Sequence, residues 1–301
     1  MKICTVIVSY NFAKWIKPCL SSLQNSSIPT DVIVVDNASI DDTCKIIEEE
    51  YPWVVLFRNT DNLGFGKANN LGFQYAIANG YNYVFLLNQD AWIDSDTISK
   101  LIDVSQRYPH YGILSPVHLN GKGDKLDFGF ATYSSLKSIG DIDNVKTEVV
   151  DCKFINAAMW LVPVSLLKRV GGFAPIFPHY GEDVDYCHRV LYHIFRIGYV
   201  KDALGYHDRE FREVSREKYF YSEYIYFLTE ATNVNYTFAK AYGYSCLAAI
   251  KKSLTSLFSR KVSDSTKYLS IFFKLQYNFK KARQTRLKSI KPDGPFLSDQ
   301  Y

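Results

Sequence analysis

Tyr81-Asn82-Tyr83-Val84-Phe85-Leu86-Leu87-Asn88-Gln89-Asp90-Ala91-Trp92-Ile93-Asp94 is the stretch on which the fold turns. An apolar run from Tyr83 to Leu87 stops abruptly at Asn88-Gln89-Asp90. A run of aromatic and aliphatic residues without alternation reads as a strand covered on both faces, as in a parallel sheet. Polar groups at the carboxyl end of such a strand lie where open α/β sheets bind ligands. Asp90 is therefore expected on a rigid element, aimed into a cleft. Asn and Asp are also ordinary turn residues, so the reading depends on what the rest of the chain supplies.

Upstream the pattern repeats. Ile3 to Val8 is a β-branched run ending in Ser9-Tyr10-Asn11. Trp15, Ile16, Cys19, Leu20 and Leu23 have helical spacing, broken at Pro29-Thr30-Asp31. Val32 to Val35 is a second buried strand, ending in Asp36-Asn37-Ala38-Ser39. Asp41 and Asp42 open a helix over Thr43 to Glu50, where acids suit the positive helix N-terminus. Val54 to Phe57 is a third strand, leaving through Arg58-Asn59 into the loop that ends at Gly66, and a helix from about Lys67 to Ala78 follows. Strand-helix alternation of this kind implies right-handed crossovers and an α/β fold, a mostly parallel central sheet flanked by helices. Such a sheet lines its polar strand ends along one edge. Turn chemistry accounts for any one of them; the series, with an aromatic and carboxylates in it, predicts a binding edge. Gly64-Phe65-Gly66 does not extend to a dinucleotide fingerprint, because Asn69 stands at the third glycine position and the motif does not follow the first strand. These glycines are expected to form a tight turn that lets backbone approach a ligand.

Downstream, Asp96 to Arg107 is a predicted helix and Tyr111 to Leu119 a strand. Asn120 to Asp151, rich in Gly, Ser and Asp, reads as an excursion of loops with a hairpin. Phe154 to Pro163 is expected as a strand beneath the cleft, and Ser165 to Val170 as a short helix ended by Gly171-Gly172. Pro175 to Arg189 is the second chemical centre. Glu182 and Asp183 follow Gly181 and open a helix running to about Ile194. Acids at a helix start are dipole partners, but Glu182, Asp183 and Asp185 behind an aromatic and glycine loop point to chemistry as well. Asp183 and Tyr186 share one face, Glu182 and Asp185 a neighbouring one. One face can look into the cleft while the other is solvated or paired. Gly198-Tyr199-Val200 reads as a short strand, with His207-Asp208-Arg209 at its exit.

The composition agrees with a globular enzyme-sized chain: 301 residues, 47% hydrophobic and 22% charged, with a formal net charge of +4. The aromatic share of 16% suits interfaces, carbohydrate or base stacking, or membrane-surface contact, and equally a compositional habit of the source. The cysteines Cys4, Cys19, Cys44, Cys152, Cys187 and Cys246 are scattered, with no C-x-x-C pair. They read as buried free thiols in a reducing, cytoplasmic compartment rather than a zinc or redox site. The N-terminus starts a strand at once with no signal-peptide layout, and no apolar run is long enough for a transmembrane helix.

These stretches resemble, in order and spacing, the family 2 glycosyltransferases of the GT-A (nucleotide-diphospho-sugar transferase) fold, most closely the bacterial rhamnosyltransferase-like branch. The matching segments are Val8-Ser9-Tyr10-Asn11, Val35 to Ser39, Asn62 to Asn70, Leu87 to Asp90, Gly171-Gly172-Phe173, Glu182 to Asp185 with Arg189, and His207. The resemblance implies a nucleotide-sugar donor, UDP- or dTDP-linked, bound by Ser9, Tyr10, Asn11, Asp36, Asn37, Asn62, Gly64, Gly66, Asn69 and Asn88. Tyr10 would stack on the base and Asp36 read its edge. Asp90, the last acid of the family's D-x-D motif, would hold a divalent metal, Mg2+ or Mn2+, with His207 completing the shell. Asp183 would be the general base, with Glu182 beside it. Direct in-line attack would invert the anomeric centre, moving rhamnose or another hexose to a saccharide or lipid-linked acceptor in surface polysaccharide synthesis. The sequence departs from the family pattern where Asn88 replaces the first acid, where Gln89 follows it, and where Asp208-Arg209 follow His207. A nucleotidylyltransferase would need a glycine-rich basic loop after the first strand, and Ser9-Tyr10-Asn11-Phe12 is not one. A binding scaffold without activity is the other alternative.

The catalytic domain is expected over residues 1–215, with a helical, basic and aromatic extension over 216–301. Between Lys251 and Lys291 basic residues interleave with Leu254, Leu257, Phe258, Leu269, Ile271 and Phe273, and Asp264 is the lone acid among them. This pattern fits helices lying on an anionic membrane at its inner face, or packed on the catalytic domain with a solvated basic side. No nucleic-acid motif accompanies the charge, so no nucleic-acid partner is expected.

Overall fold

A computed structural model describes residues 1–209 and 215–297. Its first half follows the strand-helix alternation. β1 (Ile3–Ser9), β2 (Asp31–Asp36), β3 (Val55–Arg58) and β4 (Tyr83–Leu87) are parallel, in the order β3-β2-β1-β4. Helices α1 (Ile16–Gln24), α2 (Thr43–Glu50) and α3 (Phe65–Ala78) connect them. The register sets Ser9 beside Asp36 and Asp36 beside Arg58, so the polar strand ends share one edge. Successive residues of each strand feed opposite apolar layers. Val6, Val84 and Leu86 pack on one face with Phe73 and Trp160. Ile7, Phe85 and Leu87 pack on the other with Ile16, Leu20 and Leu101.

The second half makes the sheet mixed rather than mostly parallel. β8 (Met159–Pro163) lies antiparallel to β4, and β6 (Tyr111–Asn120) pairs antiparallel with β8. β9 (Arg196–His207) runs parallel to β6 and takes β5 (Ala91–Ile93) and β7 (Val149–Cys152) antiparallel. Antiparallel neighbours need no crossover helix, which is how strands separated by the long excursion can join the same sheet. That excursion contains α5 (Phe128–Tyr133), a 3-10 turn at Ile139–Asp141 and β7, with a bridge between Leu119 and Leu126. β9 is longer than the Gly198-Tyr199-Val200 run. The register jumps from Pro116↔Val200 to Val117↔Leu204, so Lys201, Asp202 and Ala203 bulge out and the strand continues to His207.

α4 (Thr97–Arg107), α6 (Val164–Val170) and α7 (Glu182–Tyr192) complete the layers around the sheet. α8 (Arg216–Thr232), α9 (Phe238–Phe258), α10 (Val262–Tyr277) and α11 (Phe279–Ser289) form the helical extension. They build a third apolar cluster in which Phe220, Phe227, Ile271 and Leu275 meet Ala174, Ile176 and Phe177 of the sheet unit. The chain then returns to the sheet unit. Gly172 N–H donates to Pro295 O at 2.9 Å, and Asn70 Nδ2 of α3 donates to Phe296 O at 3.3 Å. Among the described residues no helix is long and apolar enough to cross a membrane, and the six cysteines are free.

Candidate active site

A cleft of about 290 Å3 opens at the carboxyl ends of β1 and β4, between the loop at Asn62–Gly64 and the loop at His179. Tyr10, Asn37, Asn62, Gly64 and Asn88 of the expected donor residues line it, as does Asp90. Ser9, Asn11, Asp36, Gly66 and Asn69 stand behind that lining and hold it in shape. Ser9 Oγ donates to Asp36 Oδ1 at 2.8 Å, and Ser39 N–H donates to Asp36 Oδ2 at 2.9 Å. Asp36 is 2% exposed, so its carboxylate is already engaged in tying the β1 and β2 exits together. Asn11 adopts positive φ, and its Oδ1 accepts from Ile40 N–H at 3.0 Å, closing the same seam. Asn69 Nδ2 donates to Phe65 O at 3.0 Å within α3.

Asn37 reaches the opposite wall. Its Nδ2 donates to Gly64 O at 3.3 Å, and its Oδ1 accepts from Asn59 Nδ2 at 3.1 Å. Gly64 has φ +80°, and a Cβ there would lie 2.2 Å from Pro178 O. Only glycine permits this contact between the 62–64 loop and the loop before α7.

Tyr10 is 46% exposed over this cleft. Its backbone is fixed by Gln89, whose Oε1 accepts from Tyr10 N–H at 2.7 Å and whose Nε2 donates to Tyr10 O at 3.2 Å. In sequence Gln89 is only a departure from the family pattern; in the fold it spans the ends of the two strands. His179, which no sequence motif singles out, also lines the cleft. Its ring leans on Tyr180 with centroids 3.9 Å apart, and burial lowers its pKa.

Asp90 meets His207. The hydrogen bonds between β5 and β9 put Ala91 opposite His207, and Asp208 N–H donates to Asp90 O at 2.8 Å. Asp90 Oδ1 lies 3.2 Å from His207 Nε2, with the Asn88 side chain 3.5 Å from the same nitrogen. A carboxylate oxygen and an imidazole nitrogen side by side fit a divalent ion that also takes phosphate oxygens, and the nitrogen favours Mn2+ over Mg2+. Asn88 adds an amide where the family pattern has an acid, so the protein contributes a single carboxylate at this point.

The acids of α7 separate by environment. Asp185 is buried and paired to Arg189 Nε at 2.9 Å, while the other guanidinium nitrogens donate to Val170 O and Gly172 O at 2.7 Å each. This pair is structural. Tyr186 is fully buried between Trp160 and Phe173, and neither it nor Asp183 is among the residues that line the cleft. Asp183 keeps a partly exposed side chain; its Oδ1 accepts from Val184 N–H at 2.8 Å. Desolvation raises its pKa, partly offset by hydrogen bonds from the Val184 and Ala157 backbone. Glu182 is 6% exposed, its Oε2 has no hydrogen-bond partner, and burial together with the Asp183 charge pushes its pKa up to about 8. A neutral carboxyl therefore stands next to an ionisable one, and the pair does not present two negative charges at pH 7.

The glycosyl transferase family 2 model matches residues 4–168, more than half of the chain. The chain belongs to this family. It is 31% identical over 206 residues to the N-acetylglucosaminyl-diphospho-decaprenol L-rhamnosyltransferase of Mycobacterium tuberculosis, covering 60% of this chain and 67% of that one. It is 23% identical over 241 residues to the low-salt glycan biosynthesis hexosyltransferase Agl10 of Haloferax volcanii, covering 78% and 76%. Among solved structures, Staphylococcus aureus TarS residues 1–349 with UDP-GlcNAc superposes with a TM-score of 0.58 at 17% identity, over 96% of this chain and 89% of that one. The Pyrobaculum calidifontis mannosyltransferase PcManGT with GDP-Man and Mn2+ gives a TM-score of 0.56 at 16% identity, over 95% and 87%. The fold of this glycosyltransferase is GT-A, and the nucleotidylyltransferase alternative falls away. Asp183 and His207 lie beyond the matched segment, so their place in the site rests on the geometry described above.

Proposed function

We propose that this glycosyltransferase inverts the anomeric centre as it moves rhamnose or another hexose from a UDP- or dTDP-sugar to a saccharide or lipid-linked acceptor. The observation that carries the reading is the Asp90–His207 pair, 3.2 Å apart, at the cleft that Asp90 lines together with exposed Tyr10. In this reading Tyr10 stacks on the base, and Asn37, Asn62, Gly64 and Asn88 border the donor. Ser9, Asn11, Asp36, Gly66 and Asn69 support that border. Asp90 and His207 hold a Mn2+ or Mg2+ ion, which neutralises charge on the departing diphosphate. Asp183 accepts the acceptor hydroxyl's proton as the hydroxyl attacks; general base catalysis is worth roughly 10²–10⁴-fold. Glu182, held neutral behind it, leaves Asp183 as the base.

Residues 1–215 form the catalytic unit and 216–301 the extension that meets the acceptor's membrane. Leu254, Leu257, Phe258 and Val262 are exposed around the turn between α9 and α10, next to exposed Arg260 and Lys261. Apolar side chains ringed by cations suit the anionic inner face of a membrane, which supports a cytoplasmic, peripheral enzyme of surface polysaccharide synthesis. Not all of the basic series faces outward: Arg286 is buried and donates to Asn233 O and Tyr236 O.

Calorimetric titration of UDP, dTDP and GDP, with and without Mn2+, tests the donor site. One diphosphate is expected to bind tightly only with metal, and Asp90→Ala to remove that dependence. Absence of binding for all three under every metal condition overturns the reading.

A further inference from the structure

Asp127 lies behind His207 and has no place in the reading above. It is 2% exposed and caps α5, its Oδ1 accepting from Phe130 N–H at 2.8 Å. Its Oδ2 faces His207 Nδ1 at 3.7 Å and Arg209 Nε at 3.6 Å. Arg209 Nε also donates to His207 Nδ1 at 3.3 Å. His118 completes the group: the ligating atoms of His118, Asp127 and His207 lie within 4.8 Å of one another. This is metal-ligand chemistry, but Arg209 already supplies the positive charge at Asp127. His118 is bound through Nε2 to Ser115 Oγ at 2.8 Å, and burial keeps its ring neutral.

The position of one proton gives Asp127 its task. In this arrangement Arg209 Nε faces His207 Nδ1 at 3.3 Å, and Nε2 faces Asp90 Oδ1 at 3.2 Å. A cation beside Asp90 needs the Nε2 lone pair, so the proton must then sit on Nδ1. Asp127 Oδ2 is the acceptor waiting there, and a closure of about 0.5–1 Å brings it to hydrogen-bond length. We propose that Asp127 is a positioning residue that accepts the Nδ1 proton of His207 and thereby frees Nε2 for the cation shared with Asp90. The proposal rests on the donor-site reading above. A buried carboxylate behind a ligating imidazole fixes its tautomer and orientation, and its loss costs metal affinity.

The test uses the full chain and Asp127→Asn, which keeps the α5 cap because Asn caps as well as Asp. Mn2+ affinity is measured by electron paramagnetic resonance with the diphosphate that binds the wild type. It is expected to fall about 10–100-fold, while metal-free diphosphate binding and the melting temperature stay close to wild type. Asp124→Asn, an exposed neighbour, is expected to change none of these. Ring-nitrogen NMR of the wild type with diamagnetic Mg2+ and diphosphate needs no variant and is expected to show His207 protonated on Nδ1. Equal Mn2+ affinity in Asp127→Asn, or a His207 protonated on Nε2 in the loaded wild type, overturns the proposal. So do two Mn2+ per chain that become one in the variant, which would assign a second metal to the cluster. A wild type that binds no Mn2+ with any diphosphate removes the donor-site reading itself.

Discussion

Gln89 grips the backbone of Tyr10 from both sides, accepting from its N–H at 2.7 Å and donating to its carbonyl at 3.2 Å. The pair bridges the ends of β1 and β4, where the polypeptide has no ladder bond left to offer. The ring that covers the cleft therefore stands on a backbone that cannot turn freely.

Gln89→Ala is expected to weaken nucleotide diphosphate binding by about 1 kcal/mol, roughly fivefold, the net worth of a hydrogen bond or two at a half-open site. Tyr10→Ala is expected to cost about 1–3 kcal/mol, as loss of a stacking face on a base does. Calorimetry on both variants checks the order; a Gln89→Ala protein that binds like wild type removes the bridge from the argument.

Asp183→Asn keeps the Val184 hydrogen bond and removes the proton acceptor. Turnover is expected to fall roughly 10²–10⁴-fold, with nucleotide and Mn2+ affinity unchanged. Single-turnover kinetics alongside titration separates the two, and a parallel loss of donor binding would reassign the residue.

Glu182 makes stability depend on pH. Its pKa in the folded chain, about 8, lies above that of a free glutamate near 4.5. The folded state then holds a proton that the unfolded chain has released, so this contribution is full below about pH 4.5 and is lost as pH rises through 8. Glu182→Gln carries no such proton. Its melting temperature relative to wild type is expected to climb steadily between pH 5 and 8. A constant difference across that range would show that Glu182 is ionised in the folded protein.

The α9–α10 turn offers a surface test. Phe258→Glu combined with Leu257→Ser is expected to reduce sedimentation with vesicles containing phosphatidylserine several-fold, since each change removes buried apolar area and one adds repulsion. Diphosphate binding is expected to remain intact. Vesicle binding equal to wild type would place the membrane contact elsewhere or nowhere.

The parallel half of the sheet was legible because buried parallel strands write themselves as unbroken apolar runs, and β1, β2 and β4 each end where the polar residues begin. The other half hid for equally physical reasons. Lys201 and Asp202 interrupt β9 because a bulge carries them out of the ladder, so a strand of 12 residues showed only its first part. Asp36 illustrates a different limit. An acid at a strand exit looks the same in sequence whether its oxygens are free or, like those of Asp36, accept hydrogen bonds from Ser9 and Ser39. Asp185 and Arg189 likewise sit in a motif that resembles chemistry, while their buried pair binds the carbonyls at the end of α6. Asp127 lay in a stretch without periodicity, and its nearness to His207 arises only when β6 and β9 come together.

The return of the chain through Pro295 and Phe296 to Asn70 and Gly172 bears on how this protein can be taken apart. The four C-terminal helices are fastened to the sheet unit at both ends, like a handle rather than a tail. Stopping the chain at residue 215 is expected to leave the catalytic unit without part of its packing. It would strip the cover from Ala174, Ile176 and Phe177 on the segment that leads into α7, and take two hydrogen bonds from the turn that Asn70 and Gly172 share. A dissection that respects the fold keeps the handle whole and alters only the outward faces of its turn.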